Sequence, residues 1–281
     1  MRTEQPLFLT LVFVSLITAC GDPASCEDSE RQAWVVSALD GAPIEGDVSV
    51  GFDLDNRVSD ASDPLGCQVV DLVHPDGTPG IDNAMGKILP ALDSVGGEAV
   101  GNLVLETINS GELLLLFQLE GLDDPSEDDC VQLRILRGAG VPGLGGDGRI
   151  QSGQTFDQLP GTEPILLSGL VLQDGRVRAS GFEMDVPVTI LGRALEFTLR
   201  NASLELLRLP DGRLSGVLAG GVSSQQIRQT AAAVDEGVEE AVEAVLDHNA
   251  DLEPNAAGYC EAASLVLEFQ AVSAFLFDDA G

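Results

Sequence analysis

The residues with most chemistry to offer in this chain are its acids. In the stretch GFDLDNRVSD, Asp53 and Asp55 stand two apart, which on a strand puts both carboxylates on one face about 7 Å apart. Asn56, Asp60 and Asp63 follow closely. Hard cations such as calcium take oxygen ligands from side chains of this kind. Two other segments offer the same chemistry: GIDN with Asp82 and Asn83, and DDPSEDD with Asp123, Asp124, Asp128 and Asp129. None is an EF-hand loop, because with Asp53 as position one Arg57 fills the fifth position and no glutamate closes the twelfth. Two readings compete. In one, these loops hold structural calcium through Asp53, Asp55, Asp82, Asn83, Asp123, Asp124 and Asp128; in the other, they are solvated loops of a chain that is acidic throughout.

Other chemistries find little support. GAGVPG satisfies a dinucleotide-binding spacing at Gly138, Gly140 and Gly143, but Pro142 and further glycines follow where a helix must open. GIDNAMGK has the wrong glycine spacing for a phosphate loop, and Ile88 stands where serine or threonine would bind magnesium. His74 and His248 are the only histidines, which excludes an HExxH zinc helix and leaves a catalytic triad little to draw on. There is no GxSxG elbow and no SxxK pair. No catalytic residue is assigned, and the chain reads as non-enzymatic.

The amino-terminal run from Leu7 to Ile17 is apolar apart from Thr10 and Ser15, with Arg2 ahead of it. Spanning a bilayer takes about 20 apolar residues at about 1.5 Å each, so this shorter run reads as a cleaved export signal. Ile17, Thr18 and Ala19 then precede Cys20, an arrangement that resembles the lipobox of bacterial lipoproteins. The resemblance implies cleavage after residue 19, lipidation of Cys20 and a membrane anchor, with the outer membrane as the expected location. The remaining cysteines, Cys26, Cys67, Cys130 and Cys260, are even in number and sit in an oxidising compartment, which favours two disulfides over metal thiolates. Of the three pairings, Cys67 with Cys130 and Cys26 with Cys260 is the expected one.

With 46 acidic against 14 basic residues the formal net charge is −32. Nucleic acid is therefore excluded as a partner, and the expected partners are a cation or another envelope protein. An apolar fraction of 44% is enough to bury a core.

Stepping along the chain, residues 20–33 form a polar tether and residues 34–281 one globular domain, with 138–164 as a glycine- and proline-rich loop or subdomain joint. DVSVGFDLD alternates as a half-buried strand. Helical spacing runs from Ile81 to Leu92, where Pro90 should kink or end the helix, and again from Val100 to Ile108. ELLLLFQL and CVQLRIL flank an acidic hairpin turn. Asp174–Gly175 and Asp211–Gly212 mark two further hairpins, and a last strand carries Leu265, Leu267, Phe269 and Ala271. Between them, Ser223 and Gln226 have capping-box spacing and open one amphipathic helix to His248, expected to lie on the sheet. The fold class expected from this pattern is α+β: a predominantly antiparallel β-sheet, a sandwich or incomplete barrel, packed by that long amphipathic helix.

The pieces GFDLDNRVSD, PDGTPGIDN and CEAASLVLEFQAVSAFL together resemble a group of uncharacterised acidic lipoproteins from myxobacteria and their relatives. That resemblance implies export and lipidation and assigns no activity. The expected function is a membrane-tethered envelope lipoprotein presenting a binding or structural domain with calcium sites. An envelope hydrolase and a periplasmic lipid carrier are the alternatives.

Overall fold

The structure, a computed structural model, describes residues 30–96, 100–124, 126–190, 193–234 and 236–277. The export signal, most of the tether, Cys20 and Cys26 lie outside the described residues.

Twelve strands form: β1 (Glu30–Gly41), β2 (Leu72–Val73), β3 (Pro79–Ile81), β4 (Leu115–Leu122), β5 (Asp128–Ala139), β6 (Gln154–Gln158), β7 (Ile165–Gln173), β8 (Arg176–Ile190), β9 (Arg193–Arg208), β10 (Leu214–Ser223), β11 (Leu252–Pro254) and β12 (Cys260–Leu276). Among the described residues four α-helices accompany them, α1 (Met85–Gly96), α2 (Val100–Ser110), α3 (Ser224–Val234) and α4 (Glu236–Asn249), with one 3₁₀ turn at Pro64–Gly66. Each of β1, β4, β5, β7, β8, β9, β10 and β12 pairs antiparallel with the next in that order, and β12 pairs back onto β1 through Ala33 opposite Ala274 and Val35 opposite Val272. The sheet is thus a closed eight-stranded barrel with its long edges paired away.

This corrects the α+β expectation. Half the residues are in strands and 16% in helices, which makes the protein mostly β, and the barrel is complete rather than open or sandwiched. Among the described residues no long helix packs a sheet. The expected helix to His248 is two, α3 and α4, which pack against each other. Its apolar stripe runs unbroken in sequence, yet folding back lets Ile227, Ala231, Val242 and Leu246 all join the core, and a second helix opens at Glu236. Gln226 makes no capping box. Its amide bonds β9 instead, accepting from the Thr198 N–H and donating to the Glu196 carbonyl.

Eight strands enclose a lumen just wide enough for side chains to fill, and one contiguous core draws on every wall strand: Trp34, Phe117, Leu133, Leu172, Met184, Leu204, Leu218 and Phe269. The Phe117 and Phe269 rings lie 5.0 Å apart, and the only tryptophan donates its indole N–H to the Gly212 carbonyl at 2.8 Å, tying β1 to the β9–β10 turn. Helix α2 packs on both β1 and β8, which stand on opposite sides of the ring, so it lies across the barrel with its Ile108 fully buried. Facing outward, Arg178, Glu183 and Asp185 are exposed, and Glu205 pairs with Arg176 and Arg178. This charged outer face of β8 and β9 is the reverse of a lipid-facing barrel wall.

Two local expectations also change. DVSVGFDLD makes only isolated bridges at Val48, not a ladder strand, because its alternating apolar residues are buried by lying over the outer wall. There Leu54 forms a satellite core with Ala219, Leu252, Ala262 and Val266, with Val50 and Phe52 packed against it. Ile81 belongs to β3, opposite Leu72, and the helix starts at Met85 and continues past Pro90.

Candidate metal centre

The long connection from β1 to β4 crosses the outside of β10 and β12, and several anchors hold it there. Ala42 donates to the Val266 carbonyl. Asn201, in the left-handed conformation at an irregularity in β9, donates to the Leu54 carbonyl at 2.9 Å. Ala84 donates its N–H to the Ser264 hydroxyl, and Ser264 in turn gives both its N–H and its hydroxyl to Asp251. The disulfide Cys67–Cys260, with Cα atoms 5.8 Å apart, clamps the same connection to the start of β12.

That bond overturns both expected pairings, since Cys67 and Cys260 are partners of each other. Cys130 is disulfide-bonded as well.

Within this frame Asp53, Asp55 and Asp82 converge, and one carboxylate oxygen from each lies within 4.8 Å of the others. Two oxygens on opposite sides of a calcium ion at about 2.4 Å are themselves about 4.8 Å apart, so the triangle is of a size to share one ion. The segment carrying the first two folds as a tight turn. Both Asp53 Oδ1 and Asp55 Oδ1 accept the Arg57 N–H, at 2.9 and 3.0 Å, with Asn56 left-handed between them. Asp82 comes in from the end of β3: its N–H donates to the Phe52 carbonyl and its Oδ2 accepts the Leu54 N–H at 2.7 Å. Gly80 has a positive φ, and a Cβ there would meet the Arg57 carbonyl at 2.9 Å and an Asp53 oxygen at 3.3 Å, so glycine lets the two segments close on each other.

The electrostatics are lopsided. Asp82 is only 3% exposed, and burial, reinforced by the charge of Asp251, pushes its carboxyl up to about 9. Burial raises Asp71 to about 6, opposed by the Ser59 N–H that bonds it at 2.6 Å and reinforced by Asp55 and Asp53. Asp251 is raised to about 6 by burial, against the bonds from Ser264. Asp55 is also raised, first by burial. The nearest guanidinium, Arg57, turns away to Asp63 at 2.7 Å, and Lys87 is exposed but close enough to favour the charged forms of Asp71 and Asp251.

Of the seven expected ligands, then, three come together. Asn83 adjoins them but its amide is occupied: Nδ2 donates to the Ala42 carbonyl and the Ser49 hydroxyl, and Oδ1 accepts the Gly86 N–H at the start of α1. Asp123, Asp124 and Asp128 form the β4–β5 turn, where Asp124 accepts from Ser126 and Glu127, and Asp128 accepts from Asp123 and Cys130. Those bonds are the business of a turn. With Cys67 bonded to Cys260, no Cys67–Cys130 bridge draws that turn to the Asp53 segment. Sequence reading missed Asp71 and Asp251, although an aspartate inside the apolar run VVDLV is itself a signal: Asp71 is half-buried there, and acids are seldom withdrawn from water without a reason.

Comparison with protein families, with characterised proteins and with solved structures finds no match for this chain.

Proposed function

We propose that this is an exported, lipid-anchored envelope protein whose closed β-barrel is a non-enzymatic binding or structural domain stabilised by a calcium ion. The convergence of Asp53, Asp55 and the buried Asp82 carries the reading. Three carboxyl groups gathered in a chain of net charge −32, with the buried one holding its proton up to about 9, are a donor set that calcium can take by displacing that proton, completing its six to eight oxygens with carbonyls and water. The lipobox-like approach to Cys20 supports the anchor, and the charged outer face of β8 and β9 supports a barrel held at the membrane by lipid rather than inserted in it.

The test is thermal unfolding with calcium, with magnesium and with a chelator. Calcium at 100 times its Kd should add about 2.7 kcal/mol, and magnesium less, because it demands a tighter octahedral shell. Identical midpoints in calcium and chelator refute the calcium reading. Separately, Cys20→Ser should release the protein from the membrane fraction; unchanged fractionation refutes the anchor.

A further inference from the structure

Two aromatic rings stand in water at one end of the barrel. Phe275 and Phe277 are each 63% exposed, whereas every other phenylalanine among the described residues is buried or half-buried. They are two apart, at and just past the end of β12, so both rings lie on one side of the strand. Backbone pairing fixes them there: Phe275 lies beside Thr155 and Leu276 beside Phe156 of β6, and the Phe277 N–H donates to the Phe156 carbonyl at 3.0 Å. Single apolar residues in water are ordinary, but two adjacent rings held on one side make a contact patch.

The chain enters the barrel at the same end. Ala33 lies opposite Ala274, and β1 begins at Glu30, so the start of β1 stands beside the rings. Three turns meet there as well: the Trp34 indole bonds Gly212 of the β9–β10 turn, the Arg208 N–H bonds Gly175 of the β7–β8 turn, and the Gly175 N–H bonds Ser126 of the β4–β5 turn. Glu30 follows Cys20 by ten residues, a span of at most about 36 Å even when fully extended. Acyl chains on Cys20 would hold this end near the bilayer at high effective concentration, where the weak contact of two rings is enough. The Cys67–Cys260 bond and the calcium site, whose Leu54 packs with Ala262 and Val266, lie towards the start of β12. About 50 Å of strand separates Cys260 from Leu276.

Charge decides which lipid fits. At this end Arg31 is paired with Glu120, Arg176 with Glu205 and Arg213 with Asp211, so these arginines are already committed to acids. The β4–β5 turn meanwhile brings up Asp123 and Asp124. Anionic headgroups are repelled there, whereas zwitterionic ones are not.

We propose, on the premise of the Cys20 anchor, that this end of the barrel docks on the bilayer, with Phe275 and Phe277 seated among zwitterionic lipids and the calcium site turned away. The test uses full-length lipidated protein carrying F277W or Y259W, in phosphatidylcholine vesicles with ordinary or brominated acyl chains. Tyr259 is 72% exposed beside Cys260, and wild type supplies the constant background of Trp34, which is 2% exposed. F277W emission should shift to the blue on vesicles and lose intensity with brominated chains, while Y259W emission should do neither. Protein that floats with the vesicles but shows no loss in F277W overturns the docking and leaves the anchor standing. A blue shift without loss to bromine means that a second copy covers the rings, and equal loss in F277W and Y259W means that the barrel lies on its side; either overturns the proposal. Protein that fails to float refutes the anchor, and the docking falls with it.

Discussion

Replacing Asp82 by asparagine should make the calcium-free protein more stable, the reverse of what removing a buried hydrogen-bonded acid usually does. The side chain is nearly isosteric, and its Oδ1 can still accept the Leu54 N–H that Asp82 accepts at 2.7 Å. What changes is titration. Asp82 sits at about 9 in the folded protein against 3.8 as an ordinary aspartate. A raised carboxyl means the native state holds its proton more tightly than the unfolded chain, so this group's contribution is most favourable below the unfolded value and is lost as pH rises from about 4 to about 9. Each unit in that window costs about 1.4 kcal/mol, which sets a ceiling of about 4 kcal/mol at pH 7.

Asparagine removes that cost. Even half the ceiling, about 2 kcal/mol, corresponds to a rise of about 4–8 °C in Tm for a domain of this size. Calcium inverts the comparison, because the ion binds the deprotonated carboxylate and its stabilising effect in the wild type should grow from pH 6 to pH 8.5. The assay is therefore one set of melting curves: wild type and D82N, in calcium and in chelator, at those two pH values. D82N should gain in chelator, gain more at the higher pH, and lose most of the calcium shift. A variant that melts lower than wild type in chelator yet keeps the full calcium shift refutes both the burial cost and the ligand role of Asp82.

Two further predictions concern the frame. The Cys67–Cys260 bond closes a span of 193 residues, for which the chain-entropy account gives about 5 kcal/mol; the C67S/C260S double variant should lose up to that much in denaturant titrations, and a loss under about 1 kcal/mol would show that the unfolded chain is little constrained by it. Trp34→Phe keeps the ring in the core but leaves the Gly212 carbonyl without its 2.8 Å donor, so it should cost about 1–3 kcal/mol, read from the denaturation midpoint; a neutral result would show that water replaces the indole.

What was legible in the sequence was local. Asp174 and Gly175 both take positive φ in the β7–β8 turn, and Gly212 does so in the β9–β10 turn, as hairpin turns of this composition demand. Closure of the barrel was not legible, because it depends on Ala33 meeting Ala274, a pairing between the two ends of the domain that no window of sequence contains. Alternation in GFDLD reported which residues are buried, not what buries them, and an outer wall served as well as a ladder partner. The continuous stripe from Ile227 to Val245 likewise carried no mark of the fold-back between α3 and α4. Asp53 and Asp55 were recognisable as a pair, but their third partner, Asp82, joins them only through the Leu54 bond across a separation of 28 residues. An even cysteine count implied bonding and could not choose the connectivity.

The strongest argument for an ion at Asp82 is what surrounds it. A chain that needed only an acceptor for the Leu54 N–H could place an asparagine there, as it does next door at Asn83, whose amide meets three partners without any charge. Instead an aspartate is buried within reach of Asp53 and Asp55, with Asp71 and Asp251 adding to the like charge. The cations close by do not answer it: Arg57 is committed to Asp63, and Lys87 stands exposed. Sequences that break a local rule tend to do so at functional sites. Here the broken rule is the burial of an acid among other acids: the ion-free protein meets it by keeping the Asp82 proton, and a divalent cation is the partner that can take that proton's place.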